Sequence, residues 1–123
     1  FMGCILEEIK PVYDLALKNL ELSTKEITDG YTIKTAANMV ESDFKVNGYN
    51  LIHALGHGVG LEVHELPFIR LKNEASFKEN MVIADEPGIY LPGRYGIRIE
   101  DTLLVTKNGS ERLTKSERGY VVI

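Results

Sequence analysis

The sequence predicts an α+β domain, and three observations carry that prediction. Apolar residues recur at spacings of three and four up to about Phe44. After residue 50 the spacing shifts toward two, β-branched residues become more frequent, and Gly and Pro punctuate the chain. Near the end, Lys107-Asn108-Gly109-Ser110 marks a hairpin. Helices followed by antiparallel strands make α+β rather than an alternating α/β fold. A chain of 123 residues, 44% hydrophobic and 26% charged, has the size of one small domain.

The first helix is expected from about Glu8 to Leu22, with Ile9, Val12, Leu15, Ala16 and Leu20 on its inner face. Pro11 fits the first turn, where its missing N–H is not needed, and Glu7 and Glu8 suit the positive end of the helix dipole. Ser23-Thr24-Lys25-Glu26 has the spacing of a capping box, so a second helix is expected from there to about Phe44. Its inward residues would be Ile27, Tyr31, Val40 and Phe44, with Gly30 as a local weakness. Lys45-Val46-Asn47-Gly48 reads as a turn. Met81–Ala84 reads as a buried strand, Gly96–Thr106 as a longer one, and Asn108-Gly109 as a type I′ turn.

Composition excludes several function classes. Eighteen acidic against 14 basic residues give a net charge of −4, which argues against a surface that neutralises nucleic-acid phosphates. The longest uninterrupted apolar runs, Met81–Ala84 and Tyr120–Ile123, are too short to span a membrane. A lone Cys4 allows no internal disulfide and no multi-Cys zinc cluster, and it fits a reducing compartment. Phe1–Glu8 lacks the basic start and apolar stretch of a secretory leader. Met2-Gly3-Cys4 departs from an acylation signal because Glu7 stands where Ser or Thr is needed. A cytoplasmic location is the expectation.

All three histidines fall in His53-Ala54-Leu55-Gly56-His57-Gly58-Val59-Gly60-Leu61-Glu62-Val63-His64-Glu65. Packing alone gives little reason for three imidazoles interleaved with three glycines. Imidazole offers a neutral ligand nitrogen or a proton carrier near neutral pH, and glycine lets the backbone approach what the ring touches. A helical zinc-protease motif fails because Ala54 follows His53 and Phe68 stands four past His64. The glycines match a dinucleotide loop poorly, since Leu61 stands where its last Gly belongs, and no Gly-x-Ser-x-Gly elbow exists.

Two acidic segments complete the set. Asp85-Glu86-Pro87-Gly88-Ile89-Tyr90 places carboxylates at the end of an apolar strand; by itself it reads equally well as a solvated acidic turn. Arg98-Ile99-Glu100-Asp101 puts Arg98 and Glu100 on one strand face and Ile97, Ile99 and Asp101 on the other. One to three His and two Glu from separate strands suit Mn²⁺, Fe²⁺, Co²⁺ or Zn²⁺, and bridging carboxylates can hold two metals close together. Metal-assisted hydrolysis is the reaction class these residues support best.

The run His53–Glu65, then Glu86–Tyr90, then Arg98-Ile99-Glu100-Asp101-Thr102 resembles the M24 metallopeptidases, and within them the Xaa-Pro aminopeptidase and prolidase branch. The likeness extends over most of residues 9–123. It implies a pita-bread fold with a dinuclear metal site using Mn, Co or Zn. By that resemblance, His57 and Glu86 would bind one metal, Glu100 would bridge both, and a water between the ions would be the nucleophile. His64 would contact the scissile carbonyl, His53 the proline side, and Arg98 would support the ligands or the substrate. The implied substrate is a peptide with proline at its second position.

The family has two further ligands, both Asp, on a hairpin ahead of the first helix of this chain. None of Asp14, Asp29, Asp43, Asp85 and Asp101 precedes that helix in a strand pair. Residues 1–123 are therefore expected to be a partial catalytic domain, the C-terminal half of the pita-bread fold, inactive by itself and binding metal weakly. An exposed strand edge and apolar face should give a homodimer or other self-association. The alternatives are a methionine aminopeptidase, a creatinase-like amidinohydrolase, or a non-catalytic pita-bread module that binds peptides. The joint presence of His57, Glu86 and Glu100 favours the catalytic reading over the binding module.

Overall fold

The structure, a computed structural model, describes residues 7–119 and 121; Cys4 and the Met2-Gly3-Cys4 segment lie outside them. Helix α1 runs Lys10–Glu26 and buries Val12, Ala16 and Leu20 as the spacing predicts, with Pro11 in its first turn. Glu7 and Glu8 lie ahead of the helix and not within its first turn. Glu8 instead engages Arg94, and its carbonyl accepts a hydrogen bond from the Tyr95 hydroxyl at 2.9 Å.

The capping-box expectation is wrong. Ser23-Thr24-Lys25-Glu26 is the last turn of α1, and the second helix, α2, begins only at Ile33 and ends at Val46. The hydroxyls that would cap a new helix are already engaged. Thr24 donates to the Leu20 carbonyl at 2.7 Å, and Ser23 is fully buried with its Oγ 2.6 Å from Asp85 Oδ2. Such back-bonding is the alternative that Ser and Thr have to capping. Ile27 and Tyr31 do pack on the core, but from the link between the helices. Gly30 has φ +81°, a left-handed conformation that no helix could pass through, so the link cannot be part of α2. The backbone of this link bonds to distant chain. Asp29 N–H donates to Thr106, Gly30 to Phe77 and Ile33 to Ala75, at 2.9–3.0 Å.

Seven short strands follow: β1 Gly56–Gly58, β2 Glu65–Ile69, β3 Val82–Asp85, β4 Gly88–Leu91, β5 Tyr95–Arg98, β6 Asp101–Thr106 and β7 Gly109–Arg112. Five form an antiparallel sheet in the order β2-β1-β3-β6-β7, and β4 pairs with β5 in a separate hairpin. The expected long strand Gly96–Thr106 is thus two strands in different sheets, broken at Ile99-Glu100. The face alternation survives the break: Ile97 and Ile99 are half-buried, Arg98 and Glu100 exposed, Asp101 buried. The β6–β7 hairpin is present, but Thr106 pairs with Gly109, so its two-residue loop is Lys107-Asn108. Only Gly109 there has positive φ, at +144°, so the turn is not type I′.

Both helices cover one face of the large sheet. Val40 and Phe44 of α2, with Ile33, Ala36 and Ala37, meet Ile69, Ile83, Leu103 and Val105 of the strands, and Leu55, Phe77 and Ile89 complete this core. The opposite face, carrying His57 and Phe68, has no helix over it among the described residues. No helix of the described residues is long and apolar enough to cross a membrane.

Candidate active site

The site is built where β1 enters the sheet. Gly56 and Gly58 are buried, and a Cβ on Gly56 would lie 1.9 Å from the Ala84 carbonyl oxygen, so β1 approaches β3 only because glycine is there. Between them His57 turns to the helix-free face. Its Nδ1 lies 2.9 Å from the Gly58 carbonyl oxygen, which fixes the proton of the neutral ring on Nδ1 and leaves the Nε2 lone pair free. Nε2 faces Glu86 Oε1 at 3.7 Å, and both side chains are largely covered, 12% and 14% exposed.

Glu86 follows β3 and is anchored by its own N–H, which donates to the Leu55 carbonyl at 2.8 Å. On its other side Arg98 Nε stands 3.6 Å from Glu86 Oε2 and 3.8 Å from Glu100 Oε2. These separations are ion pairs rather than hydrogen bonds. The Arg98 guanidinium also reaches the Tyr90 hydroxyl at 3.5 Å, and this contact, followed by the two carboxylates, pushes its pKa up from the ordinary value. His64 packs edge-on against His57 with ring centroids 4.5 Å apart, and His53 against Tyr90 at 5.5 Å. His53 Nδ1 lies 2.7 Å from the Ala54 carbonyl oxygen, while its Nε2 is buried without a partner.

A cleft of about 240 Å³ joins His53, His57, His64, Glu86 and Arg98, five of the six residues singled out by sequence, with Phe68 and Ala54 also in its wall. The sixth, Glu100, is 45% exposed and engaged by Arg98 rather than meeting His57 and Glu86. Among the described residues no three His, Cys, Asp or Glu side chains assemble as a metal-holding group. The arrangement is a two-donor corner, His57 with Glu86, flanked by an arginine and two further imidazoles.

Sequence reading gave no role to Phe68 or Tyr90. The alternation of β2 puts Leu66, Phe68 and Arg70 on one face and Ile69 in the core, and that pattern is the signal that could have found Phe68. Asp85 belongs to no solvated turn either. It is fully buried on the helix side, held by Ser23, with Oδ1 unpartnered. Burial pushes its pKa up to about 7; the Ser23 hydrogen bond opposes that shift and the Asp101 carboxylate adds to it. A carboxyl whose folded pKa is raised binds more protons folded than unfolded above pH 4, so its contribution to stability is full in acid and is lost as pH rises through about 7. Asp85→Asn keeps the bond to Ser23 without the charge. Urea unfolding of Asp85→Asn is therefore expected to show a gain of a few kcal/mol over the parent chain at pH 8 and little difference below pH 4, where the carboxyl is protonated in both states. An equal effect at both pH values would contradict this account.

The chain matches the family model of metallopeptidase family M24 over residues 1–107. It is 45% identical over 119 residues to an Xaa-Pro dipeptidase of Pyrococcus furiosus, an alignment that takes in 95% of this chain and 34% of that protein. Among solved structures, an X-Pro aminopeptidase from Thermotoga maritima superposes with a TM-score of 0.94 at 38% identity, covering 99% of this chain and 35% of that one. A prolidase from Pyrococcus furiosus gives 0.90 at 44% identity, covering 94% and 35%. The chain thus spans about a third of the length of the relatives it matches. The likeness bears out the expected architecture, α+β and the C-terminal part of a pita-bread fold.

Proposed function

The chain belongs to metallopeptidase family M24, and from that premise we propose that the whole protein is a metal-dependent exopeptidase acting on Xaa-Pro peptide bonds. In this reading residues 1–123 are the C-terminal half of its catalytic domain. The observation that carries it is the His57–Glu86 corner: an imidazole with Nδ1 already tied to a carbonyl, its free Nε2 3.7 Å from a largely covered carboxylate. A nitrogen and a carboxylate oxygen so presented are the donor chemistry of a divalent Mn, Co or Zn site, and the carbonyl contact is the outer support such a histidine needs.

His57 and Glu86 would hold one ion, and Glu100 would swing from Arg98 to share a second. Two Asp from the preceding half of the domain would complete the set. When bound, the metal pair supplies Lewis acidity toward the scissile carbonyl and the attacking water. Arg98 pairs with both Glu86 and Glu100 and orients them. His64, packed on His57, offers a proton or a hydrogen bond at the carbonyl oxygen, and His53 presents its unpartnered Nε2 on the proline side. With these three ligands alone the chain is expected to be inactive.

The uncovered sheet face and the exposed Leu61, Val63 and Leu66 support docking of the missing half, and self-association where it is absent. A homodimer of the whole protein and a cytoplasmic location belong to the same reading. So do the exclusions of nucleic-acid and membrane partners, supported by the net charge of −4 and the short apolar runs.

The test uses the whole protein. Loaded with Mn²⁺ or Co²⁺ it should hydrolyse Xaa-Pro substrates and hold metal stoichiometrically, and Glu86→Gln should lower kcat/KM about a hundredfold or more. A whole protein with no stoichiometric metal would instead be a peptide-binding module. The isolated 123 residues should show no turnover under the same conditions; substantial turnover overturns the half-site reading.

A further inference from the structure

We propose that Phe68 selects the residue on the amino side of the scissile bond and favours bulky apolar side chains there; this rests on the Xaa-Pro reading above. The cleft is polar on most sides, with three imidazoles, a carboxylate and a guanidinium. Phe68 is the one large hydrocarbon side chain in its wall, beside the small Ala54. Apolar walls with a few converging polar groups are how small-molecule sites combine binding with orientation.

The sheet sets which end of the cleft Phe68 occupies. β2 lies outside β1, and β1 lies beside β3, so the lateral order is Phe68, then His57, then Glu86. Arg98 stands beyond Glu86, at 3.6 Å, and His53 packs on Tyr90, which Arg98 also contacts. The donor corner therefore separates an Arg98–His53 end from a Phe68 end. With the proline side at His53, the residue before the scissile bond lies toward Phe68.

The ring is firmly backed. The Arg70 guanidinium lies 5.3 Å from its centroid, and the Phe68 carbonyl accepts from Asn73 Nδ2 at 2.8 Å. Phe68 also borders a second cavity of about 250 Å³ with Leu66, Arg70 and Lys72 in its wall. Its ring thus stands between the donor corner and a basic, wetter space. Removing it would open the apolar end of the cleft to that space.

The experiment compares kcat/KM for Leu-Pro and Gly-Pro in the whole metal-loaded protein, wild type against Phe68→Ala and Phe68→Gln. Glutamine keeps most of the bulk, so it stands in should alanine disturb β2. Wild type should prefer Leu-Pro, and each variant should lower the Leu-Pro to Gly-Pro ratio about tenfold, the scale of a lost apolar contact in a specificity pocket. An unaltered ratio in the folded variants overturns the assignment of Phe68 alone. Failure of the wild type to cleave any Xaa-Pro dipeptide or longer Xaa-Pro peptide overturns the peptidase reading, and this proposal with it.

Discussion

Gly56→Ala is expected to destabilise the chain by at least about 3 kcal/mol, beyond the usual 1–3 kcal/mol of an overpacked core. The added methyl would meet the Ala84 carbonyl oxygen at 1.9 Å and Ile69 Cδ1 at 3.1 Å. A side chain could rotate away from such a clash. A ladder carbonyl cannot, because Gly56 is paired on both sides, to Ile69 in β2 and Asp85 in β3. The strands must separate where His57 and Glu86 are brought together, so stability and cleft geometry should fail jointly. Gly30→Ala is the control. Its φ of +81° is strained for any other residue, yet the space around it is open, so the expected loss is only about 1–2 kcal/mol. Urea unfolding of the two variants checks the ranking; a Gly56→Ala protein as stable as Gly30→Ala would show that β1 is not held as described.

Asp101→Ala should cost about 3–5 kcal/mol, the range for removing one member of a buried ion pair. Asp101 is 2% exposed and accepts from Arg112 Nε at 2.9 Å and from Arg118 Nε at 2.6 Å. Both guanidinia are mostly covered, 30% and 21% exposed, so removal of the carboxylate leaves two positive charges facing each other out of solvent. Arg118 extends the network to Thr24 of α1 at 3.3 Å. Losing either arginine alone leaves Asp101 a partner, so Arg112→Ala and Arg118→Ala should each cost less than Asp101→Ala. Thermal unfolding of the three single variants tests that order, and equal losses would argue against a shared clamp.

The parts of this fold that were legible in sequence are those governed by local pattern. Val12, Ala16 and Leu20 announce α1, Val40 and Phe44 the later part of α2, and the apolar run at Met81–Ala84 the strand β3 within one residue. Local pattern misled where a local signal was spent on a distant partner. Ser23 has the credentials of a helix cap, but Asp85, 62 residues away, takes its hydroxyl. The strand pattern across Gly96–Thr106 is continuous in sequence, yet β5 and β6 join different sheets, because pairing partners and not periodicity decide where a strand ends.

For the site, His53, His57 and His64 were legible as unusual residue types close together in sequence, Glu86 and Arg98 only through the family resemblance, and one cleft collects all five. Phe68 and Tyr90 were not, since an aromatic in a strand ordinarily signifies core. The charge state around Asp85 was also hidden. Nothing local distinguishes a buried carboxyl from a solvated one beside Pro87; only the helix lying over it does.

The link from Ile27 to Thr32 looks on paper like a hinge, six residues with a glycine between two helices. Its amides are instead fastened to Thr106 at the end of β6 and to Phe77 in the stretch before β3, and Ile33, which opens α2, is tied to Ala75 beside it. Mechanically it is a rivet: α1 and α2 cannot swing apart without first releasing the strands that lead into the cleft.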